Sequence, residues 1–349
     1  IVAAADVVCA TLTGVDVSAL RDVRFDLVAL DEAGQAVEPA CWAAMRRAPK
    51  VVLVGDHLQL PPTVLSPAAE KEGLGCTLFE RLVSRYPEAG VMLTMQYRMN
   101  TAIMNWSNIK LYGGKLEAHE SCQDRTIQHA LGERKRHKQQ TEPKLVTVIE
   151  RKYGKNKSKF SRQTFQLSDH IASPVLVPLS SLPRLKSCLK LLFLDSDGCC
   201  MNESSANKQG SKINVHEAQV AINHVRRLRA LGLGLHEIGI ITPYAAQVSL
   251  LLEMRRVAFG DNTDLDVASV DGFQGREKEA IIFSMVRSNA HGSVGFLADV
   301  RRMNVAMTRA RSHCAIVGDS GTLSKNALVG HLIRHFETHA KVESADLLC

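Results

Sequence analysis

The sequence has no apolar run near the roughly 20 residues that a membrane-spanning helix needs, so no transmembrane segment is expected. It opens at Ile1 without the basic start and cleavage pattern of a signal peptide. Its nine cysteines include no CxxC pair, so the usual zinc spacing is missing and no metal cage is expected. Reduced thiols are typical of cytosolic or nuclear proteins, and we expect that location.

Positive charge is concentrated in one segment. The chain carries a net charge of +7, but residues 133–162 contain eleven Lys or Arg residues and only three acids. The local net charge is therefore +8, and the remainder carries −1. Because the excess lies in one segment, net charge gives no argument about what the folded domains bind.

Short, β-branched apolar runs recur along the chain, and most end in polar or glycine residues. Amphipathic stretches such as 77–86 and 217–231 lie between some of them. Alternating apolar strands and helices predict an α/β fold with mostly parallel sheets covered on both faces. Ligands of such sheets bind beyond the carboxyl ends of the strands. The runs are 7–10, 25–30, 51–54, 91–95, 189–194, 237–241, 266–270, 280–286 and 314–317.

The runs form two series, which indicates two domains in a chain of this length. We place the first domain at 1–117, the second at 188–340 and a short tail at 341–349. Residues 118–187 are a basic segment rich in Lys, Arg, Gln and Ser. This insertion is predicted to be mobile, either as a solvated linker or as an arm that grips nucleic-acid phosphates.

Two adjacent acids, Asp31 and Glu32, follow one of the apolar runs. An aspartate at a strand end can hold Mg²⁺, and the next carboxylate can orient and deprotonate an attacking water. Acids at strand ends also serve as helix caps, so the pair alone leaves both interpretations open.

Charged and flexible motifs follow in a fixed order. Gln59 could contact a terminal phosphate, and arginines could stabilise charge on a transferring phosphoryl group across a domain cleft. Each motif alone could be a turn or a surface ion pair, but together they point to one phosphate-handling site. The motifs are DEAGQ (31–35), GDHLQLPP (55–62), QYRMN (96–100), ITPYAAQ (241–247), SVDGFQGREKEA (269–280) and RRMNVAMTRARSH (301–313).

This set of motifs resembles superfamily 1B helicases, and within them the up-frameshift group and the immunoglobulin-mu-binding (SMUBP) type. The resemblance covers roughly residues 5–115 and 188–340. It implies two RecA-like parallel-sheet domains, a P-loop NTPase helicase core, with the first domain truncated at its N-terminus. The second domain would be the AAA_12-like C-terminal part of the helicase.

The resemblance also implies a role for each matching residue in the ATP site. Asp31 would bind Mg²⁺, Glu32 would be the catalytic base, and Gln59 would sense the γ-phosphate. Arg98 and Arg309 would clamp the transferring phosphoryl group.

Further residues match cofactor and nucleic-acid positions of the family. Tyr97 would stack near the nucleotide base, and Gly275 and Glu277 would sense the γ-phosphate and the nucleotide sugar. The residues expected near the nucleic-acid backbone are Thr11, Thr13, Thr242, Pro243 and Tyr244, although Thr and Pro at strand ends also serve in turns.

The family's phosphate loop, GxxGxGK[ST], is not found in the 349 residues. The resemblance places it upstream of the segment like 5–14. Two explanations stay open: an incomplete gene product, or a protein that has lost ATPase activity.

The implied activity of the full-length protein is ATP-dependent helicase or translocase movement on single-stranded DNA or RNA, 5′-to-3′. The chain alone is expected to be inactive without the loop. A nucleic-acid-binding or scaffold module without catalysis is the alternative. The implied partners include ribosomal or RNA-processing machinery, with no membrane, and a monomer is expected.

Overall fold

The computed structural model describes residues 5–140, 178–206 and 210–349. They form two compact units. The first unit holds the described residues up to Gln96, together with Ser107–Glu117 and Asp299–Met307. The second holds Tyr97–Trp106, the described part of Ala118–Ala298, and Thr308–Cys349. The proposed domain boundaries stay predictions, and most of the basic insertion, 141–177, lies outside the described residues.

The first unit is built on a short parallel pair of strands, β1 (Val28–Leu30) and β2 (Val51–Leu53), in the register Val28↔Val51. One face of this pair is covered by α1 (Glu38–Met45) and α3 (Leu78–Arg85). Buried apolar side chains from strands and helices form the core between them: Leu30, Ala33, Cys41, Ala44 and Leu78. The remaining short elements of this part of the chain are α2 (Pro67–Lys71) and β3 (Met95–Gln96).

Two predicted strands of the first unit are wrong. Residues 7–10 and 91–94 carry no strand structure, and the strand predicted at 91–95 is reduced to β3. Their apolar side chains are open to solvent, with Val7 78%, Val91 88% and Leu93 81% exposed. A strand needs a hydrogen-bonding neighbour, and in the parallel sheet of the described first unit only β1 and β2 pair.

The second unit contains a six-stranded sheet in which every neighbouring pair of strands is parallel. The α/β parallel-sheet prediction is thereby confirmed. Its central strands are almost entirely buried, as expected for a parallel sheet covered on both faces. In order across the sheet, the strands are β12 (Lys341–Ser344), β5 (Leu191–Asp195), β11 (Ala310–Gly318), β10 (Lys278–Ser284), β8 (Ile238–Thr242) and β9 (Asp266–Ser269).

Two long helices, α6 (Val215–Ala230) and α7 (Ala245–Phe259), pack on this sheet through a core that includes Ile222, Leu250 and Ile282. Asn214 caps α6 by accepting a hydrogen bond from the backbone N–H of Glu217 at 3.0 Å. The other elements are α4 (Thr101–Leu111), β4 (Glu117–Ala118), α5 (Ile127–Gln140), the hairpin β6 (Ser204–Ser205) and β7 (Lys212–Ile213), α8 (Val300–Met307), α9 (Ser320–Leu323) and α10 (Ala327–His339).

Two segments outside residues 188–340 also pack in the second unit. The start of the basic segment forms α5, whose Ile127 is fully buried in the core of the second unit. The first four residues of the predicted tail form the edge strand β12, which pairs with β5. No helix in the described part of the chain is both long and apolar enough to cross a membrane.

Candidate functional site

Asp31 and Glu32 lie at the carboxyl end of β1, and both are exposed. Glu32 has a left-handed backbone (φ 53°), an uncommon conformation for a residue with a side chain. The Asp31 carboxylate accepts a hydrogen bond from the Glu32 backbone N–H at 3.0 Å. The Gln35 amide donates to the Glu32 carboxylate at 2.5 Å. Both carboxylates are therefore held in place at the strand end while they stay open to solvent.

Two glycines let this loop pack against the loop after β2. A Cβ on Gly34 would lie 2.8 Å from the Asp56 carbonyl oxygen, and one on Gly55 would lie 2.9 Å from the Gly34 nitrogen. A hydrogen bond from Ala33 N–H to the Val54 carbonyl, at 2.8 Å, ties the same loops together. The glycines in DEAGQ and GDHLQLPP are needed because backbone meets backbone here.

Gln59 is positioned by Asp56. The Asp56 carboxylate accepts hydrogen bonds from the Gln59 side-chain amide at 3.0 Å and from the Leu58 backbone N–H at 2.9 Å. It also accepts the Tyr112 hydroxyl at 2.6 Å. Asn304 on α8 donates to that hydroxyl at 2.7 Å, so the carboxylate is fixed by a connected network. Asp31, Glu32 and Gln59 thus come to one edge of the first unit.

The second unit brings other predicted residues together. Arg98 donates to the Glu277 carboxylate and, at 3.3 Å, to the Thr308 carbonyl oxygen. Arg311 forms a longer ion pair with the same glutamate at 3.8 Å. Arg309 is buried, 3% exposed, and its guanidinium donates to the Thr308 hydroxyl at 3.0 Å. Arg311 also pairs with the Glu279 carboxylate at 3.3 Å, so three arginines and two glutamates leave this cluster with a net positive charge.

Tyr97 and Gly275 lie in the same unit. The Tyr97 ring is 62% exposed and stacks at a tilt against His119, with 4.5 Å between ring centroids. An exposed aromatic face can stack on a base. Gly275 has a φ of 74°, which favours glycine in the turn that leads to Glu277.

The predicted nucleic-acid residues differ in accessibility. Thr11 and Thr13 are exposed, and the Thr11 hydroxyl accepts from the Gly14 N–H at 3.1 Å, so Thr11 also acts as a helix cap. Thr242 is fully buried and Tyr244 is 3% exposed. The Tyr244 hydroxyl accepts from Arg287 at 3.1 Å. Burial raises the pKa of Tyr244, which keeps it neutral.

Sequence reasoning did not single out Asp56 and Tyr112, which hold Gln59. Asp56 stood inside a recognised motif, but Tyr112 and Asn304 are distant in sequence, so their pairing could not be seen. The pair Glu203 and Arg287 was also missed, because single charged residues at loop positions carry no pattern.

Comparison with known proteins places the chain in a family. A family profile described as an AAA domain (AAA_12) matches residues 74–321, and a second AAA-domain profile (AAA_11) matches residues 1–67. The chain belongs to the superfamily 1 helicases of the SMUBP and up-frameshift type. The resemblance predicted from the motifs is confirmed.

Among relatives of this helicase family, the chain is 37% identical over 347 residues to the DNA-binding protein SMUBP-2 of Mesocricetus auratus. That match covers 98% of this chain and 30% of the relative. The chain is also 35% identical to Regulator of nonsense transcripts 1 of Dictyostelium discoideum, and this match covers 95% of the chain and 21% of that relative. The chain thus spans about a third or less of these relatives. An arterivirus nonstructural protein 10 (helicase) structure is 11% identical, with a TM-score of 0.36, covering 89% of this chain and 42% of that chain.

Proposed function

We propose that these residues belong to an ATP-dependent helicase or translocase that moves 5′-to-3′ along single-stranded DNA or RNA. Membership of the superfamily 1 helicase family supports the enzyme class. The observation that carries the proposal is the pair of exposed carboxylates at the end of β1, held by Gln35 and by the backbone.

These residues fit the metal and γ-phosphate end of an ATP·Mg²⁺ complex. Carboxylate oxygens are the ligands that Mg²⁺ prefers, and Asp31 offers them at an exposed strand end. Bound Mg²⁺ would neutralise charge on the phosphates. The backbone cradle for the other phosphates is not encoded in the 349 residues, so we propose that the chain alone does not turn ATP over.

Each unit contributes residues to which we assign a role. In the first unit, Asp31 would hold the metal end of a bound nucleotide, and Glu32 would take a proton from the attacking water. Gln59, fixed by Asp56, would contact the terminal phosphate. In the second unit, Arg98 and Arg309 would offset negative charge that develops on the phosphoryl group, and Arg98 donates to the Glu277 carboxylate.

The experiment is Glu32→Gln in a longer form of the protein that contains a phosphate loop. ATP hydrolysis stimulated by single strands should fall about 10²–10⁴-fold, while ATP binding persists, because only proton transfer is lost. Glu70→Gln, at an exposed position of the same unit, is the matched control and should retain activity. Near wild-type hydrolysis by the Glu32 variant would refute the assignment of the base.

A second candidate is a module that binds single strands without catalysis, favoured by the missing phosphate-loop motif. It predicts salt-dependent binding that ATP does not alter. Binding measured with and without ATP therefore separates the two candidates. For either, we propose a monomer in the cytoplasm or nucleus, working with ribosomal or RNA-processing machinery.

A further inference from the structure

An open cavity of about 460 Å³ lies in the second unit beside the hairpin β6–β7 and the loop after β10. All ten residues that line it have polar or charged side chains. One wall of the cavity is the loop that follows β10. This loop lies at the carboxyl edge of the parallel sheet, where ligands of such sheets bind. The motifs recognised in the sequence include none of its residues.

The charged residues of the cavity form a connected set. Arg287 donates to the Glu203 carboxylate at 2.7 Å, and both side chains are less than 10% exposed. Burial by itself would raise the pKa of Glu203, but hydrogen bonds from Arg287 and Asn289 outweigh it and lower that pKa. The guanidinium charge is thus offset inside the protein, and Lys212 carries the excess positive charge.

Lys212 presents that charge at the cavity. Its side chain is 27% exposed, and its ammonium donates to the Ser205 hydroxyl at 3.0 Å. It lies 3.5 Å from the Glu203 carboxylate. An ammonium group has three donors, so Lys212 can also donate to a bound anion.

The backbone beside the cavity is held in a strained conformation. Val286 has a φ of 70°, which is a genuine outlier for a β-branched residue. Glu217 accepts from the Val286 N–H at 2.8 Å, and the Asn214 amide donates to its carbonyl at 3.3 Å. Strain of this kind persists only where neighbours impose it, and it clusters at functional sites. Here it precedes Arg287, which bonds both Glu203 and the Tyr244 hydroxyl.

We propose that this cavity binds one phosphodiester group of single-stranded nucleic acid, with Lys212 as its cationic contact. The inference rests on the proposed nucleic-acid function and adds a site to it. The positive charges of Lys212 and Arg287 and the negative charge of Glu203 sum to one positive charge in the cavity. This matches the single negative charge of a phosphodiester. The lining contains hydroxyl and amide groups but no Phe, Tyr or Trp, so it suits a backbone and not a stacked base.

The test compares Lys212→Ala with Lys190→Ala in the 349-residue chain. Lys190 is a matched control: its side chain is also 27% exposed and also pairs with an acid, Asp124. It precedes β5, at the opposite edge of the sheet. Binding of labelled dT and U homopolymers of about 20 nucleotides, which span several nucleotide sites, is measured by anisotropy across a salt series.

Loss of one phosphate contact should lower the slope of log affinity against log salt by about 0.7 for Lys212→Ala. Between about 50 and about 200 mM salt, the ratio of wild-type affinity to Lys212→Ala affinity should therefore fall about 2.6-fold. Lys190→Ala should keep the wild-type slope, and Lys212→Arg should largely restore it. Lys212 is at the surface, so equal melting temperatures are expected and show that the variant folds.

Two failures are distinguishable. If the wild type binds the homopolymers and Lys212→Ala keeps its slope, the cavity is not a phosphate site although the nucleic-acid function stands. If the wild type binds neither homopolymer, the cavity assignment is refuted together with single-strand binding by this chain.

Discussion

Replacing Glu217 with glutamine tests how a fully buried carboxyl group holds the strained Val286. Burial raises the pKa of Glu217 from 4.5 to about 8. Hydrogen bonds from the Val286 N–H and the Ser284 hydroxyl lower this pKa, but burial outweighs them. The nearby acids Asp319 and Glu203 raise it further. At neutral pH the folded protein therefore keeps this group largely protonated, whereas the unfolded chain ionises it.

The sign and size of the pH effect follow from these two values. Because the pKa is raised on folding, the stabilising contribution is complete below about pH 4.5 and is lost as the pH rises through about 8. Each pH unit between them changes the free energy of unfolding by about 1.4 kcal/mol. Between about pH 6 and about pH 8, the free energy of unfolding of the wild type should fall by about 2 kcal/mol relative to that of Glu217→Gln, whose amide does not titrate.

Urea unfolding at several pH values measures this difference. The protein has two tryptophans, and Trp106, 1% exposed, lies in the second unit. In a Trp42→Phe background, its fluorescence reports that unit alone. Glu337→Gln, at an exposed position of the same unit, controls for the loss of a carboxylate. A difference between Glu217→Gln and wild type that does not change with pH would refute the reasoning, because it would mean that the carboxylate stays ionised throughout.

Two further substitutions test the packing and the buried histidines. Gly34→Ala should destabilise the first unit by about 1–3 kcal/mol in urea unfolding, because its Cβ would meet the Asp56 carbonyl at 2.8 Å. Gly75→Ala, whose Cβ would have no neighbour closer than 3.9 Å, should stay within about 0.5 kcal/mol, and equal losses would contradict the argument. Burial lowers the pKa of His313 from 6.5 to about 4, and its ring lies 3.0 Å from that of His224. Neutral His313 therefore contributes about 3 kcal/mol to the free energy of unfolding above about pH 6.5, and this contribution is lost as the pH falls to about 4. In a pH series of unfolding, His313→Asn should lose less stability in acid than the wild type. Unchanged sensitivity would contradict this expectation.

The sequence predicted the second unit better than the first. Runs such as 189–194, 237–241 and 314–317 overlap β5, β8 and β11, because buried parallel strands read as continuous apolar segments. The same apolar pattern at 7–10 and 91–94 produced no strand, since local sequence does not reveal whether a partner strand is present.

The candidate site was predictable where a motif is contiguous. DEAGQ and GDHLQLPP placed Asp31, Glu32 and Gln59, and their roles stay predictions. Pairing across long separations, such as Arg98 with Glu277 or Asp56 with Tyr112, depends on the folded topology and left no signal along the chain.

The half-covered strand pair of the first unit has a consequence for handling the protein in solution. Leu27, Val52 and Val54 are about half exposed on or beside it. Val91 and Leu93 add a short uncharged segment of high β-propensity. Such surfaces invite strand-to-strand self-association between copies, which grows with protein concentration and is strengthened by salts that favour apolar contact. Concentration and salt type must therefore be held fixed whenever affinities or unfolding curves of this chain are compared.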